Sequence, residues 1–369
     1  MNNQNLIYQI AITLAKGIGL ITARQLVDSF DDISVLFSGK KQVLQENPQI
    51  PRKILNEIYQ SEILKRAESE IEFIQKNQII PLFIKDVDYP SRLKDCVDAP
   101  ILLYKRGNAD LNAEKIISVI GTRNSTVYGK EMTENLIQDL KAVYPETLIV
   151  SGLAYGIDIC AHKAAIKNEM STVGVLAHGL DILYPHLHRN TAREMIENGG
   201  LLSDFISKTN PDKQNFIKRN RIVAGIADCT VVVESASKGG ALITVSIAES
   251  YNRDVFAYPG KVTDSYSLGC NNLIKERRAA LITCAEDLFR EMCWDKEEKK
   301  KTIQKSIFID FSEDEQMIVD VIKQADKIQL NQLSYKVDFP ISKLSSLLFG
   351  LEMKGVVQCL PGGIYRIVY

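Results

Sequence analysis

Four short runs place glycine, small hydroxyl side chains and cations in an order suited to holding an anion. The first is Gly121-Thr122-Arg123-Asn124-Ser125, between an apolar run and a helical pattern that begins near Tyr128. Free N–H groups and the dipole at a helix start attract negative charge. Arg123 adds a planar fork that pairs with phosphate or stacks on a base. The second run starts at Ser151-Gly152 and passes through Tyr155 and Gly156 to Asp158, with His162 just beyond. Here Asp158 is expected to cap the following helix, and His162 to be packed rather than to act as a base. The third run spans Lys213–Arg221, with four cations (Lys213, Lys218, Arg219, Arg221), Asn220 and the ring of Phe216 in nine residues. Charge beside a stackable ring suits single-stranded nucleic acid. A solvated basic helix start is the plainer alternative, but the neighbouring anion-friendly turns favour binding. The fourth run, Gly239-Gly240-Ala241-Leu242-Ile243-Thr244, offers Gly240 and Thr244 to the same ligand.

Other chemistries lack their residues. The sequence holds no G-x-x-x-x-G-K-[ST] run for ATP, and no G-x-G-x-x-G after the first core strand. The next strand ends in Val150-Ser151 rather than the acid that contacts an NAD ribose. No G-x-S-x-G elbow or Ser/His/Asp arrangement appears. His186-x-His188 beside Asp181 lacks a third ligand at a recognisable spacing, so neither metal nor cofactor is expected. Seven scattered cysteines, none spaced C-x-x-C, fit reduced thiols in a cytosol. With no signal-like start and no apolar run of the roughly 18 residues that span a bilayer, a cytoplasmic protein without a membrane partner is expected. The net charge of −1 rules out a surface that is basic throughout, yet leaves room for a local basic cleft.

These turns need a scaffold, and the pattern supplies one. Residues 1–77 read as helical, with Gly17-Ile18-Gly19 between two helical stretches. That segment is either a helix-hairpin-helix unit that meets phosphate or a helical cap whose glycines allow a sharp turn. Residues 78–294 alternate strand and helix, with strands expected near 116–120, 147–151, 172–177, 201–203, 230–234, 254–257 and 280–283. This is the pattern of an α/β, Rossmann-like, doubly wound and mainly parallel sheet, which binds ligands at the carboxyl ends of its strands. Residues 295–311 read as a charged linker. Residues 312–369 read as three helices and a hairpin, a winged helix.

The runs together resemble the DNA-processing protein A (DprA/Smf) family. The resemblance rests on Gly121-Thr122-Arg123, Ser151 to Asp158 with Ala161-His162, Gly179-x-Asp181 before Tyr184-Pro185, Phe216-x-x-Arg219-Asn220-Arg221, Gly240 to Thr244 and Pro259-Gly260. Asp88-Tyr89-Pro90 and Leu103 to Gly107 extend it upstream, so that it spans nearly the whole chain. It implies a non-catalytic protein, typically a homodimer, that protects single-stranded DNA and loads the RecA recombinase onto it during natural transformation. It also implies that Arg123 and Lys218 to Arg221 contact DNA, with Ser151, Gly152 and Gly156 shaping the pocket. Asn124 stands where the family often has a second arginine, Tyr155 where it is often basic, and Gly239 where serine is common. Two alternatives are a nucleotide-processing phosphoribohydrolase and a transcription regulator. The first lacks its motif's closing acid, with Ile247 in that place and Ile243 for a glycine. For the second, the apolar Ile341–Lys354 segment offers two lysines and no arginine to base edges.

Overall fold

The computed structural model describes residues 3–30, 32–37, 39, 43, 52–294, 311–325, 327–360 and 363–367. The chain divides into two units, Met1–Trp294 and Asp295–Tyr369. The expected linker lies outside the described residues, apart from Phe311.

The first unit begins with helices α1 (Asn3–Leu14), α2 (Leu20–Asp28), α3 (Arg52–Ile58) and α4 (Ser61–Lys76). Gly17 turns the chain between α1 and α2 at φ +81°, a conformation glycine adopts without strain. These helices bury Ile10, Val27, Leu55 and Ile74 in the same hydrophobic cluster that reaches Val150 and Val232 of the sheet. Polar ties reinforce the contact. Arg24 donates to the carbonyl of Lys94 at 3.0 Å, and Arg66 donates to the carbonyl of Ser207 at 2.7 Å. The buried Glu70 carboxylate accepts from the Ser207 amide at 2.9 Å. This packing is compatible with both readings of the Gly17-Ile18-Gly19 segment.

The sheet follows: β1 (Ile80–Phe83), α5 (Ser91–Lys94), β2 (Leu102–Gly107), β3 (Ile116–Gly121), α6 (Val127–Val143), β4 (Leu148–Ser151), α7 (Ile157–Lys167) and β5 (Thr172–Val175). After these come α8 (Arg189–Glu197), β6 (Gly199–Ser203), α9 (Lys213–Ile226), β7 (Cys229–Glu234), α10 (Gly240–Ser250), β8 (Asp254–Ala257), α11 (Leu268–Lys275), β9 (Ala280–Leu281) and α12 (Ala285–Glu291). The order across the sheet is β1-β2-β6-β5-β4-β3-β7-β8-β9. From β6 to β9 neighbours are parallel, while β2 pairs antiparallel with both β1 and β6. The hairpin of β1 and β2 was not expected as strand from the sequence; Pro81 fits there because β1 is the edge.

The central strands are buried on both faces and so are almost wholly apolar. Alternation sorts them: Ile117, Val119, Val231 and Val233 pack with Leu136, Ile137 and Leu140 of α6. Ile116, Ile120 and Val232 point the other way, into the cluster that holds Ile222 and Val223 of α9 and Val245 of α10. From β3 the chain lays β4, β5 and β6 to one side, then returns through α9 to place β7 on the other. The reversal opens a crevice at the carboxyl ends of β3 and β7.

The second unit contains α13 (Glu313–Ala325), β10 (Lys327–Gln329), α14 (Leu330–Val337), α15 (Ile341–Met353), β11 (Val357–Leu360) and β12 (Ile364–Ile367), with sheet order β10-β12-β11. Its core is built from Ile318, Ile322, Leu333, Leu344, Leu348 and Leu351. It is a winged helix. Of the turn expected at Pro361-Gly362-Gly363, the first two residues lie outside the described residues.

Candidate nucleic-acid interface

A cavity of about 590 Å³ occupies the crevice where the sheet reverses. Its walls come from the ends of β3 (Gly121, Thr122, Arg123), β4 (Gly152, Ala154) and β7 (Ser235, Ala236), from α9, and from the amino end of α10 (Gly239, Gly240, Thr244). Three residues distant in sequence lock these loops together. Glu234 is buried at the end of β7, and its carboxylate accepts from the Thr126 amide at 2.9 Å and the Thr126 hydroxyl at 2.7 Å. The Glu234 carbonyl accepts from the Thr122 amide at 2.7 Å. Gly156 precedes α7 at φ +80°, and a Cβ there would lie 2.0 Å from the Thr122 carbonyl oxygen. The loops after β3 and β4 therefore meet only if residue 156 is glycine.

The third lock is Arg219. It is 4% exposed, lines the cavity floor, and donates to the Gly152 carbonyl at 2.6 Å and to the Val175 carbonyl. Burial lowers its pKa to about 10, while the nearby Asp158 carboxylate favours its charge. Asp158 does not cap its helix as the sequence had led us to expect; that place belongs to Gly156, and Asp158 lies in the first turn. Its Oδ2 instead accepts from the amides of Gly152 at 3.1 Å and Ala154 at 3.4 Å. Burial raises the Asp158 pKa, and Arg219 opposes the rise.

The basic run thus divides by helical geometry. Positions three and four apart share a face of α9, so Lys213, Phe216, Ile217, Asn220 and Val223 line the cavity. Lys218 is exposed on a different side and is not part of the wall. Arg221 is also turned away and buried, paired with Asp204 and donating to the Asp98 carbonyl. Arg219 and Arg221, expected to contact DNA, and Ser151, expected to shape the pocket, are all buried on protein partners, although Arg219 still lines the cavity. The two guanidinium groups are committed to protein acceptors, and the buried Ser151 hydroxyl donates to Val119 at 2.6 Å. Gly121, Thr122, Arg123, Gly152, Arg219, Asn220, Gly240 and Thr244 come together in the wall, whereas Ser151, Tyr155 and Gly156 lie outside it.

Arg123, Lys213 and Lys238 line the cavity and are exposed. The Arg123 guanidinium sits over the Phe216 ring, 5.4 Å from its centroid. Lys213 and Phe216 were read from the sequence only as members of the basic run, and Lys238, outside that run, was not singled out. The amino end of α10 is open, since a Cβ at Gly239 or Gly240 would meet nothing within 4 Å.

Three of the four histidines, His162, His178 and His188, have structural roles. His188 Nδ1 bonds the Leu153 carbonyl at 2.9 Å, and His178 Nε2 accepts from the Tyr184 amide at 3.2 Å. His162 is fully buried against Thr172, and burial drives its pKa down to about 3. A folded pKa below the usual 6.5 means stability is full above 6.5 and falls as pH drops toward 3. Between pH 7 and pH 4.5 this group should remove about 2–3 kcal/mol of stability. Urea denaturation at both pH values should show His162→Asn losing correspondingly less than the parent; equal losses would remove His162 from the account.

The sequence profile of DNA recombination-mediator protein A matches residues 81–293, and that of the DprA winged helix domain matches residues 309–363. The chain belongs to the DprA family. It is 39% identical to the DNA processing protein DprA of Streptococcus pneumoniae over 215 residues, covering 58% of this chain and 75% of that protein. It is 33% identical to protein Smf of Synechocystis over 281 residues, covering 74% and 69%. The crystal structure of DprA from Streptococcus pneumoniae matches with a TM-score of 0.58 at 30% identity, over 74% of this chain and 98% of that one. DNA processing protein A from Helicobacter pylori, whose structure describes a single-stranded DNA binding mode, matches with a TM-score of 0.53 at 27% identity, over 59% and 97%. The cavity is thus the switch-point crevice of a DprA core, within a family of DNA-processing proteins. Among the described residues no helix is long and apolar enough to cross a membrane.

Proposed function

We propose that the cavity binds single-stranded DNA without chemically altering it, and that the protein protects such DNA and loads RecA onto it during DNA uptake. The observation that carries the reading is the exposed cation Arg123 over the ring of Phe216, beside the open amino end of α10. A base stacks on the ring, while the guanidinium, Lys213, Lys238 and backbone N–H groups neutralise phosphates. The binding core is taken as residues 78–294, with 1–77 as a helical domain of helix-hairpin-helix type and 312–369 as the winged helix, in a cytoplasmic homodimer. The Helicobacter pylori relative, which binds single-stranded DNA, supports the ligand class.

The non-catalytic reading rests on the carboxylates. Asp158 lines the cavity, but its Oδ2 is held by two backbone amides, and Glu234 is engaged by Thr126. General acid–base work needs a carboxylate within reach of the reacting proton. The winged helix reads poorly as a duplex reader: Lys343 pairs with Asp314 at 2.7 Å and Lys354 with Glu315 at 2.6 Å. With both α15-region lysines tied to α13, the exposed Phe349 and Met353 suit a protein partner better than a groove.

Labelled oligo-dT titrated by fluorescence anisotropy at several salt concentrations tests this reading. Arg123→Ala should weaken binding and lower the log–log salt slope by about one. Phe216→Ala should weaken it by about 1–3 kcal/mol with the slope unchanged. Duplex preference, or release of free base from a nucleoside monophosphate, would overturn the reading; stimulation of RecA filament growth on coated single strands tests the loading step.

A further inference from the structure

A 590 Å³ cavity falls in the range that holds one small ligand, roughly 300–1,000 Å³. A polymer bound there must therefore continue along the protein surface. One rim carries a second exposed aromatic. The Tyr184 ring centroid lies 5.9 Å from that of Phe216, with planes at 60°, and Tyr184 is 42% exposed though outside the cavity wall. Its loop is held firmly on the core. The Tyr184 amide donates to His178 Nε2, whose own carbonyl accepts from the Ser203 hydroxyl at 2.8 Å. Farther along, the Gly179 amide donates to the Thr209 carbonyl at 3.1 Å, and His188 anchors on the Leu153 carbonyl. At the loop's far end the His188 ring meets the exposed Tyr155 at 5.0 Å, edge on. Rings that are both exposed and anchored lose little freedom when a base stacks on them.

We propose that Tyr184 is a second base-stacking platform, over which a single strand leaves the cavity along the 178–188 loop toward Tyr155. The proposal rests on the single-stranded-DNA reading above. Phe216 takes the base within the cavity, and Lys213, three residues before it on α9, meets the adjoining phosphate. The neighbouring base lies over Tyr184. Because every base has a π-face, this path is tolerant of sequence.

The test compares Tyr184→Ala, Tyr184→Phe and the parent on a ladder of dT oligomers, from the dinucleotide to about 20 residues. Thermal denaturation checks that the variants fold. Tyr184→Ala should bind the shortest oligomers that the parent binds with unchanged affinity, then fall behind by roughly 5- to 100-fold once a strand is long enough to reach the platform. Tyr184→Phe should track the parent at every length. A 2-aminopurine placed one step beyond the cavity base should be quenched by the parent and by Tyr184→Phe, but not by Tyr184→Ala. If the parent binds no oligo-dT, the single-stranded-DNA reading itself fails. If the parent binds and Tyr184→Ala matches it at every length, that reading stands and the path over Tyr184 is wrong. A Tyr184→Phe defect equal to that of Tyr184→Ala would replace stacking with hydroxyl hydrogen bonding and also overturn the proposal.

Discussion

Arg219→Ala is expected to lose roughly 3–5 kcal/mol of folding stability, whereas Lys218→Ala one residue earlier stays within about 0.5 kcal/mol of the parent. Both cations belong to the same basic run, so charge counting alone would rank them together. The difference comes from position on α9. Arg219 is inside, donating to carbonyls after β4 and at the end of β5, with the buried Asp158 as its charge partner. Deleting it leaves those carbonyls without their donor and Asp158 as an uncompensated buried charge. Lys218 is in water. Guanidinium denaturation of both variants measures the contrast. Arg219→Lys should recover only part of the loss, because an ammonium lacks the planar fork that serves two acceptors. An Arg219→Ala protein with parental stability and weakened DNA binding would instead make Arg219 a ligand contact.

Gly156→Ala is expected to separate the two loops that frame the cavity. The positive φ alone costs about 1–3 kcal/mol in a residue with a Cβ. The clash with the Thr122 carbonyl cannot be relieved by a rotamer change, since the obstacle at 2.0 Å is backbone. Retreat of either loop misplaces Arg123, so single-strand affinity should fall well beyond what the loss of stability explains. Gly240→Ala is a matched control for stability alone, because residue 240 itself lines the cavity. Its Cβ would enter open space at the amino end of a helix, so stability should hold or rise by about 0.5–1 kcal/mol. A Gly156→Ala protein with parental stability and affinity would show that the loops do not need their close approach.

Much of this architecture was legible because central parallel strands must be apolar on both faces. The run Ile116–Ile120 and its counterparts stand out for that reason, and the glycines after them mark the loops. The β1–β2 hairpin was less legible: it is antiparallel, at the edge, and contains Pro81. At the site, turn chemistry identified Gly121 to Arg123, Gly152 and Gly240, because backbone approach is a local property. Which cations face the ligand is not local. Lys218, Arg219 and Arg221 are indistinguishable in composition, and only the direction in which α9 packs sends one to water and two to protein acceptors. Glu234 was missed because its partner Thr126 lies on another strand's loop, and Asp158 was misread because its carboxylate turns back onto the Gly152 and Ala154 amides of its own loop.

Glu234 has a consequence for what the crevice can discriminate. A nucleotide crevice of this topology offers helix amino ends as sockets for phosphate. Here the protein's own carboxylate already sits at the start of α6, on the amide and hydroxyl of Thr126, while the start of α10 stands open. One socket is plugged from within. A pyrophosphate pushed toward it would meet like charge, so a free dinucleotide gains from a single backbone socket and spends its second phosphate on repulsion. A polymer spaces its phosphates one per nucleotide and can seat one at α10 while Arg123 and the lysines meet the rest. The plugged socket therefore selects for chain length, admitting strands while free dinucleotides compete poorly.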